Sequence, residues 1–271
     1  MKNRYTDRRL YFNELVQTSR EYLMNYISDF CKTSHIRKVI EIGCGEGGIL
    51  VPFAETGCHV CGIDISQGKI RNAERFFAED GLKGEFICSD FIQMDLSEHH
   101  GLYDLIIIHD VIEHIEPEFK AEFMKRTGNL LKKDGIIMAA FPSWKMAYGG
   151  HQQICRNRLC RIPLIHLLPL GMYKGYLKLC KEKKETIEEL MSIRRSRMSI
   201  ESFEGLCRSA DLRILSRRLW VINPHYKAKF RLTPLQLHNC FHKNRWLRDR
   251  LASSCFYILS SSRCYESKSK E

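Results

Sequence analysis

The stretch Val39–Gly48, with the sequence VIEIGCGEGG, restricts the possible folds of this chain more than any other segment. A short apolar run that contains the acid Glu41 breaks there into a cluster of glycines. Gly43, Gly45 and Gly48 fit the pattern G-x-G-x-x-G. Glycine adopts backbone conformations that other residues avoid, and it lets a ligand approach the main chain closely. The stretch therefore predicts a β-strand that turns into a helix at a ligand-binding site.

Short apolar runs and amphipathic stretches alternate through residues 1–142. The runs predicted as strands are Val39–Ile42, His59–Ile63, Glu85–Cys88, Leu105–Ile108 and Ile136–Phe141. Helical periodicity between them predicts one helix capped by Ser66 and another that Pro117 opens and that ends near Gly135. After residue 142 the alternation breaks, and two later strand candidates lie at Leu212–Ile222 and Ser253–Ser260. Strands that alternate with helices predict an α/β fold with a parallel sheet.

The glycine pattern alone suits two cofactors, NAD and S-adenosylmethionine. Both need an acid after the second strand to bind ribose hydroxyls, and Asp64 supplies it 19 residues after Gly45. Glu41 distinguishes the two, because a carboxylate beside this turn would repel the pyrophosphate of NAD. S-adenosylmethionine has no phosphate and carries a sulfonium and an ammonium group, which a carboxylate attracts. The sequence therefore favours S-adenosylmethionine.

Two further motifs follow in order along the chain. Asp90-Phe91 places an acid and a ring after the third strand, and the fourth strand ends within Tyr103–Ile115. With these motifs, residues 36–142 closely resemble the class I S-adenosylmethionine-dependent methyltransferases of the small-molecule type, and the resemblance resumes at Ser199–Ile222. It implies a Rossmann-like sheet of seven strands in the order 3-2-1-4-5-7-6, with the last strand antiparallel. It also implies helices on both faces and a mostly helical insertion after the fifth strand.

The same resemblance implies a division of one methyltransferase domain, residues 1–271, into four parts. An N-terminal helical segment covers residues 1–35, and the cofactor-binding core covers residues 36–142. Residues 143–198 form a substrate lid inserted after the fifth strand. Residues 199–271 complete the sheet and carry a basic insertion.

The resemblance also implies a set of cofactor-binding residues: Glu41, Gly43, Cys44, Gly45, Gly47, Asp64, Ile65, Asp90, Phe91 and His109. In this family's arrangement Glu41 lies near the methionine ammonium, and the backbone of the glycine turn lies against the methionyl part. Asp64 binds both ribose hydroxyls. Ile65 packs on the adenine, Asp90 meets the adenine amino group, and Phe91 lies beside the ring.

Methyl transfer to a hydroxyl or amine needs a group that removes a proton, beyond the carboxyl ends of strands four to six. His151 is the first candidate, because it follows a Gly-Gly pair on a loop over the cofactor edge and because a histidine pKa near ~6.5 suits a base. His109, just past the fourth strand, is the second catalytic candidate. His114 lies four residues after Asp110, so the two are expected on one helical face, with a structural role favoured. No metal ligands are predicted.

Charge is distributed unevenly, with a net −5 over residues 1–142 and +8 over each of 143–198 and 199–271. In the predicted lid, Arg156, Arg158 and Arg161 lie beside the apolar stretch Ile162–Met172. Such a surface suits an anionic or lipid-like substrate or peripheral contact with a membrane, and a solvated basic cap is the alternative. The charged N-terminus lacks the apolar segment of a signal peptide, which predicts a cytoplasmic protein.

We therefore predict transfer of a methyl group from S-adenosylmethionine to an oxygen atom of a small-molecule acceptor. An RNA methyltransferase remains the first alternative because of the basic second half. No RNA-binding module is recognised, however, so a nucleic-acid partner is not expected. An NAD-dependent oxidoreductase is the second alternative, and Glu41 argues against it.

Overall fold

A computed structural model describes residues 7–262 of the chain, and its centre is one mixed β-sheet. Its strands are β1 Lys38–Ile42, β2 His59–Asp64, β3 Glu85–Cys88, β4 Tyr103–His109, β5 Leu131–Phe141, β6 Leu212–Ile222, β7 Leu235–Gln236 and β8 Ser254–Ser261. They are hydrogen-bonded in the order β3-β2-β1-β4-β5-β8-β6-β7. The expected order is confirmed, with β8 as the antiparallel strand between β5 and β6. The expected count of seven is wrong by one, because the two-residue β7 adds an antiparallel edge to β6.

The helices lie on both faces of this sheet, as the resemblance implies. The α-helices are α1 Arg8–Thr18, α2 Met24–Ser28, α3 Val51–Glu55, α4 Gln67–Glu79, α5 Lys120–Leu130, α6 Leu170–Leu179, α7 Lys184–Ser196, α8 Ile200–Ser209, α9 His225–Phe230 and α10 Arg245–Leu251. Successive strand residues point to opposite faces, so Val39 joins the core under α1 and α4, while Ile40 joins the core under α5 and α8. The strands therefore read as continuous apolar runs, which is typical of a sheet covered on both sides.

Three local predictions differ from the structure. Ser66 occupies the N-cap position of α4, but its side chain makes no capping hydrogen bond. Helix α5 ends at Leu130 and the chain passes directly into β5, so Gly135 lies inside a strand. Asp110 and His114 do not share a helical face, because the chain turns there without forming a helix. Asp110 has φ 54°, a left-handed conformation that interrupts a helix.

The 143–198 insertion folds on itself beside the carboxyl edge of the sheet. It contains three short 3₁₀ turns followed by α6 and α7, and none of its residues lies in a strand. Its own small core includes Cys155, Cys160, Tyr173 and Leu190. Across residues 7–262, no helix has the length and apolar character that a membrane crossing requires.

Candidate functional site

The glycine turn after β1 is held in a shape that only glycine adopts easily. Gly43, Gly45 and Gly47 have φ values of 74°, 56° and 78°, in the left-handed region. Gly48 is needed for a different reason, because a Cβ there would lie 2.6 Å from the carbonyl oxygen of Phe12 in α1. The pattern that fits the backbone is therefore G-x-G-x-G. A Cβ on Gly45 would meet no atom within 4 Å, so the turn has one open face.

Two acids lie directly beneath this turn. Glu41, at the end of β1, is 2% exposed, and Oε2 has no hydrogen-bond partner among the described residues. Asp64, at the end of β2, accepts hydrogen bonds from the backbone N–H groups of Gly45 at 2.9 Å and Ser66 at 2.8 Å. Burial, and secondly the nearby charge of Asp64, raises the pKa of Glu41 well above its usual range. The pair forms an anionic pocket whose charge a bound cation would neutralise.

The predicted adenine-binding residues do not all point into open space. Ile65 follows Asp64 and exposes 73% of its surface at the site. Asp90 folds its carboxylate back to accept the N–H of Ile92 at 2.9 Å. The Phe91 ring is 6% exposed and packs against Phe123 with centroids 5.2 Å apart, and its position beside the adenine stays a prediction. Phe91 supports the site from within the core.

The segment after β4 brings further polar groups to the same edge. His109 ends β4, is 8% exposed, and has no partner for Nε2 within residues 7–262. Its Nδ1 lies 3.6 Å from the carboxylate of Asp110. Glu113 is buried, and neither carboxylate oxygen has a hydrogen-bond partner in the described chain. Burial, followed by the charge of Asp110, raises the pKa of Glu113 well above its usual range.

The structure brings His151 to His114, with ring centroids 5.1 Å apart. His151 follows β5 in the 143–198 insertion and adopts φ 55°. Burial, and secondly the neighbouring His114, lowers the pKa of His151 to about 4. The imidazole is therefore neutral at pH 7 and able to accept a proton. Glu113, His114 and His151 also present ligand atoms within 4.8 Å of one another, a group that could hold a metal ion and that the sequence did not suggest.

Sequence reasoning missed a buried ion pair that ties α1 to the glycine turn. Glu46, inside the turn, is fully buried, and both carboxylate oxygens accept hydrogen bonds from Arg8 at 2.7 Å. An acid in the middle of the glycine motif was a sign of a nearby cation. The sequence did not identify that cation, because Arg8 lies 38 residues earlier in the chain. Lys69 of α4 is a second missed cation, with Nζ 3.7 Å from the carboxylate of Asp64.

A cavity of about 780 Å³ opens next to these groups, between α1, the 143–198 insertion and α9. Two of its lining residues contact acids at the glycine turn: Arg8 is bonded to Glu46, and Lys69 lies near Asp64. The cavity therefore adjoins the turn. Its aromatic lining consists of Tyr11, Tyr148, Tyr226 and Phe230. The cavity is large enough for a small organic molecule.

Residues 39–135, which contain the glycine turn and both acids, match a family model described as a methyltransferase domain. The chain is therefore similar to methyltransferases over this region. Curated relatives match a comparable length of the chain. A ubiquinone biosynthesis O-methyltransferase from Rickettsia canadensis (strain McKiel) is 30% identical over 129 residues, which are 47% of this chain and 52% of that protein. The chain spans about half the length of the first curated relatives it matches.

Solved structures share this fold over nearly the whole chain. An S-adenosylmethionine-dependent methyltransferase from Clostridium acetobutylicum superimposes with a TM-score of 0.55 at 13% identity, covering 92% of both chains. The magnesium protoporphyrin IX methyltransferase from Synechocystis, solved with bound S-adenosylhomocysteine, gives a TM-score of 0.54 at 16% identity over 92% of this chain and 84% of that one. At these identities the likeness concerns the fold.

The donor groups around the glycine turn fit S-adenosylmethionine, the cofactor that the sequence favours. The unpaired Oε2 of buried Glu41 is suited to an ammonium group, because a buried carboxylate needs a cation or a hydrogen-bond donor. The open face of Gly45 leaves room for the methionyl chain against the backbone. Asp64 uses two of its lone pairs on backbone N–H groups and keeps others for hydroxyl donors.

Proposed function

We propose that this protein transfers the methyl group of S-adenosylmethionine to an oxygen atom of a small aromatic or amphipathic acid. The observation that carries the proposal is the pair of buried acids beneath an open glycine turn, next to a cavity lined by aromatic rings and cations. Its similarity to proteins named ubiquinone biosynthesis O-methyltransferases supports an oxygen acceptor.

Each acid has a distinct part in binding the cofactor under this proposal. Glu41 takes the methionine ammonium on its unpaired oxygen, and the main chain of Gly43, Cys44, Gly45 and Gly47 holds the methionyl group. Asp64 takes the ribose hydroxyls, and Ile65 covers the adenine face with its exposed side chain. Asp90 remains the partner for the adenine amino group, which requires its carboxylate to accept one more donor besides the N–H of Ile92.

The chemistry requires alignment and the removal of one proton. When bound, S-adenosylmethionine supplies an electrophilic methyl group on a sulfonium. His151 is the group proposed to take the acceptor's hydroxyl proton. Its pKa, lowered to about 4 by burial, keeps the imidazole unprotonated at neutral pH but makes it a weaker base than a free imidazole, so the transfer depends on its position beside the acceptor. His109 faces the methionyl end from β4 and limits the space beside it, since its ring is packed against Phe256. The walls of the cavity exclude water and orient the acceptor.

The charge of the cavity indicates the class of acceptor. Four cations line it, namely Arg8, Lys69, Arg161 and Lys229, and Glu189 is the one acid in the same lining. Arg8 is already paired with Glu46 and Lys69 lies beside Asp64, so the attraction for an anion rests chiefly on Arg161, whose printed hydrogen bonds go to backbone carbonyl oxygens. A carboxylate, phenolate or phosphate on the acceptor would therefore be attracted, while the tyrosine and phenylalanine rings accept an aromatic or apolar body. This arrangement favours an anionic aromatic molecule over a neutral one.

The outer face of the 143–198 insertion supports peripheral contact with a membrane. Leu159, Leu170 and Met172 are each more than half exposed, and Arg158 and Lys174 lie in the same segments. Apolar side chains flanked by cations partition into the interface of an anionic bilayer. The protein should float with phosphatidylglycerol vesicles and not with phosphatidylcholine vesicles, and Leu159→Glu together with Met172→Glu should abolish flotation. Equal flotation with both lipids would contradict this part of the proposal.

The central experiment tests cofactor and acceptor separately. Calorimetry should show binding of S-adenosylhomocysteine and none of NADH; the reverse result would restore the oxidoreductase alternative. The protein is then incubated with S-adenosylmethionine labelled in the methyl group and with hydroxylated aromatic acids or their neutral methyl esters. We expect label in the product from the acids and at least tenfold less from the esters. Label recovered on RNA and not on small molecules would overturn the proposed acceptor class.

A further inference from the structure

Three cysteines and one glutamate converge inside the 143–198 insertion, away from the glycine turn. Cys155, Cys160 and Glu182 are all buried, and their sulfur and carboxylate oxygen atoms lie within 4.8 Å of one another. The Cys180 thiol lies against the Cys160 thiol and brings a third sulfur to the group. We call these four residues the thiolate cluster. All three cysteines are in the free thiol form.

The local backbone holds the cluster in place from two separate segments. The first is a tight turn in which Asn157 caps the 3₁₀ helix Arg158–Arg161 by accepting the N–H of Leu159 at 3.0 Å. The second follows α6, where Lys181 has φ 56° and reverses the chain, so that Glu182 faces the turn. Asn157 then donates from Nδ2 to the carbonyl oxygen of Cys180 at 3.2 Å, joining the two segments.

Glu182 is fixed by both of its oxygens and keeps further lone pairs available. Oε2 accepts the backbone N–H of Arg156 at 3.1 Å, and Oε1 accepts that of Asn157 at 2.6 Å. A carboxylate has about four lone-pair positions, so one oxygen can also bind a cation. These hydrogen bonds orient the carboxylate toward the neighbouring sulfurs, as the partners of metal ligands commonly do.

A tyrosine hydroxyl beside the cluster lacks a partner of its own. Tyr173 of α6 is fully buried next to Cys155 and Cys160, and no described residue hydrogen-bonds to its hydroxyl. Leaving such a group unpaired costs on the order of 1–3 kcal/mol. A thiolate is a much better acceptor than a thiol, so ionised cysteines would satisfy this donor.

We propose that Cys155, Cys160, Cys180 and Glu182 bind one zinc ion that fastens the insertion together. Zinc favours thiolates with one oxygen or nitrogen ligand, and structural sites use four protein ligands in a tetrahedron. Zinc–sulfur bonds of about 2.3 Å place tetrahedral ligands about 3.7 Å apart, so Cys155, Cys160 and Glu182, with ligand atoms within 4.8 Å of one another, need only a small contraction. The Cys180 thiol, which lies against Cys160, must turn toward the other two ligands to complete the tetrahedron. Binding releases the three thiol protons to solvent and changes no oxidation state.

The site has a clear structural purpose in this part of the chain. The core of the insertion contains few large apolar residues, and small cores commonly need a metal or disulfide to be stable. The cluster connects the turn that carries Arg161 to the end of α6, and Arg161 lines the acceptor cavity. The zinc ion therefore holds a wall of the cavity and takes no part in the proposed chemistry.

The test is metal analysis of the full-length protein, purified with a reductant and supplied with zinc or cobalt. We expect one zinc ion per chain and, after exchange with cobalt, a strong thiolate-to-cobalt charge-transfer absorption. Cys160→Ser and Glu182→Gln should lower the retained metal at least tenfold. Cys207→Ser is the matched control, because Cys207 is equally buried but lies in α8 under the sheet.

Two checks keep the outcome unambiguous. Binding of S-adenosylhomocysteine by each variant shows that the sheet is folded, and His151→Ala removes the other candidate metal group without touching the thiolate cluster. Zinc lost in His151→Ala but retained in Cys160→Ser would overturn the proposal. Absence of stoichiometric metal in the reduced wild type, or a mass two hydrogens lower from a disulfide within the cluster, would also overturn it. Neither result would affect the proposed methyl transfer.

Discussion

Replacement of Glu41 by glutamine should change cofactor affinity and protein stability in opposite directions. The carboxylate is almost completely buried beside Asp64, and Oε2 has no partner in the described chain. In the free protein, an ionised Glu41 is therefore destabilising. In the complex, the same charge faces the ammonium group of the cofactor. One substitution that removes the charge tests both statements.

The expected loss of affinity follows from the strength of a charge-assisted hydrogen bond. Such a bond contributes about 1.5–3 kcal/mol, so its removal raises Kd by about 10- to 150-fold. The loss should be similar for S-adenosylmethionine and S-adenosylhomocysteine, because both carry the ammonium and only the first carries a sulfonium charge. A loss confined to S-adenosylmethionine would instead place Glu41 at the sulfonium.

The effect on stability depends on pH, and its sign is fixed by the raised pKa of Glu41. Between its unfolded and folded pKa values the native state binds more protons than the unfolded chain, so wild-type stability falls as pH rises through this range. Glutamine does not titrate, so the melting temperature of Glu41→Gln should exceed that of the wild type by an amount that grows from pH 5 to pH 9. For a chain of this size each 1 kcal/mol corresponds to roughly 2 °C.

Calorimetry gives the affinities, and thermal denaturation across the pH range gives the stabilities. Glu113→Gln is the matched control, because Glu113 is equally buried with a raised pKa but follows β4. It should show the pH-dependent gain in melting temperature without loss of cofactor affinity. If Glu41→Gln binds both ligands as tightly as the wild type, the electrostatic reading of the site is refuted.

Three further substitutions test other parts of the site. Asp64→Ala should abolish cofactor binding while circular dichroism stays unchanged; normal affinity would remove Asp64 from the ribose site. His151→Ala should lower kcat and leave cofactor Kd unchanged; an unchanged kcat with the acceptor would exclude His151 as the base. Arg8→Ala leaves the buried carboxylate of Glu46 unpaired, at a cost of about 3 kcal/mol, and should lower the melting temperature by roughly 6 °C. Arg20→Ala, which breaks an exposed ion pair with Glu55, should change it by less than about 2 °C, and equal effects of the two substitutions would contradict the argument.

The cofactor side of the site was largely predictable because it is built from local sequence. Parallel pairing in register places Glu41 of β1, Gly45 of the turn and Asp64 at the end of β2 at one edge of the sheet. The packing of the Phe91 ring could not be predicted, because a residue next to the pocket in sequence can turn its ring into the core, and strand periodicity does not extend into the loop. The segment after β4 was misread as helix because spacing alone does not reveal the left-handed backbone at Asp110.

The sequence by itself determined the alternation of strands and helices and the glycine turn, because apolar periodicity and turn residues act over a few neighbouring positions. Its resemblance to a known family supplied the order of the seven main strands and, together with Glu41, the choice of cofactor. Only the tertiary structure paired Arg8 with Glu46, brought His151 beside His114, and gathered the thiolate cluster from positions 155 to 182. Each of these contacts joins segments far apart in the chain. Their geometry depends on how loops and helices pack, and residue spacing carries no record of that packing.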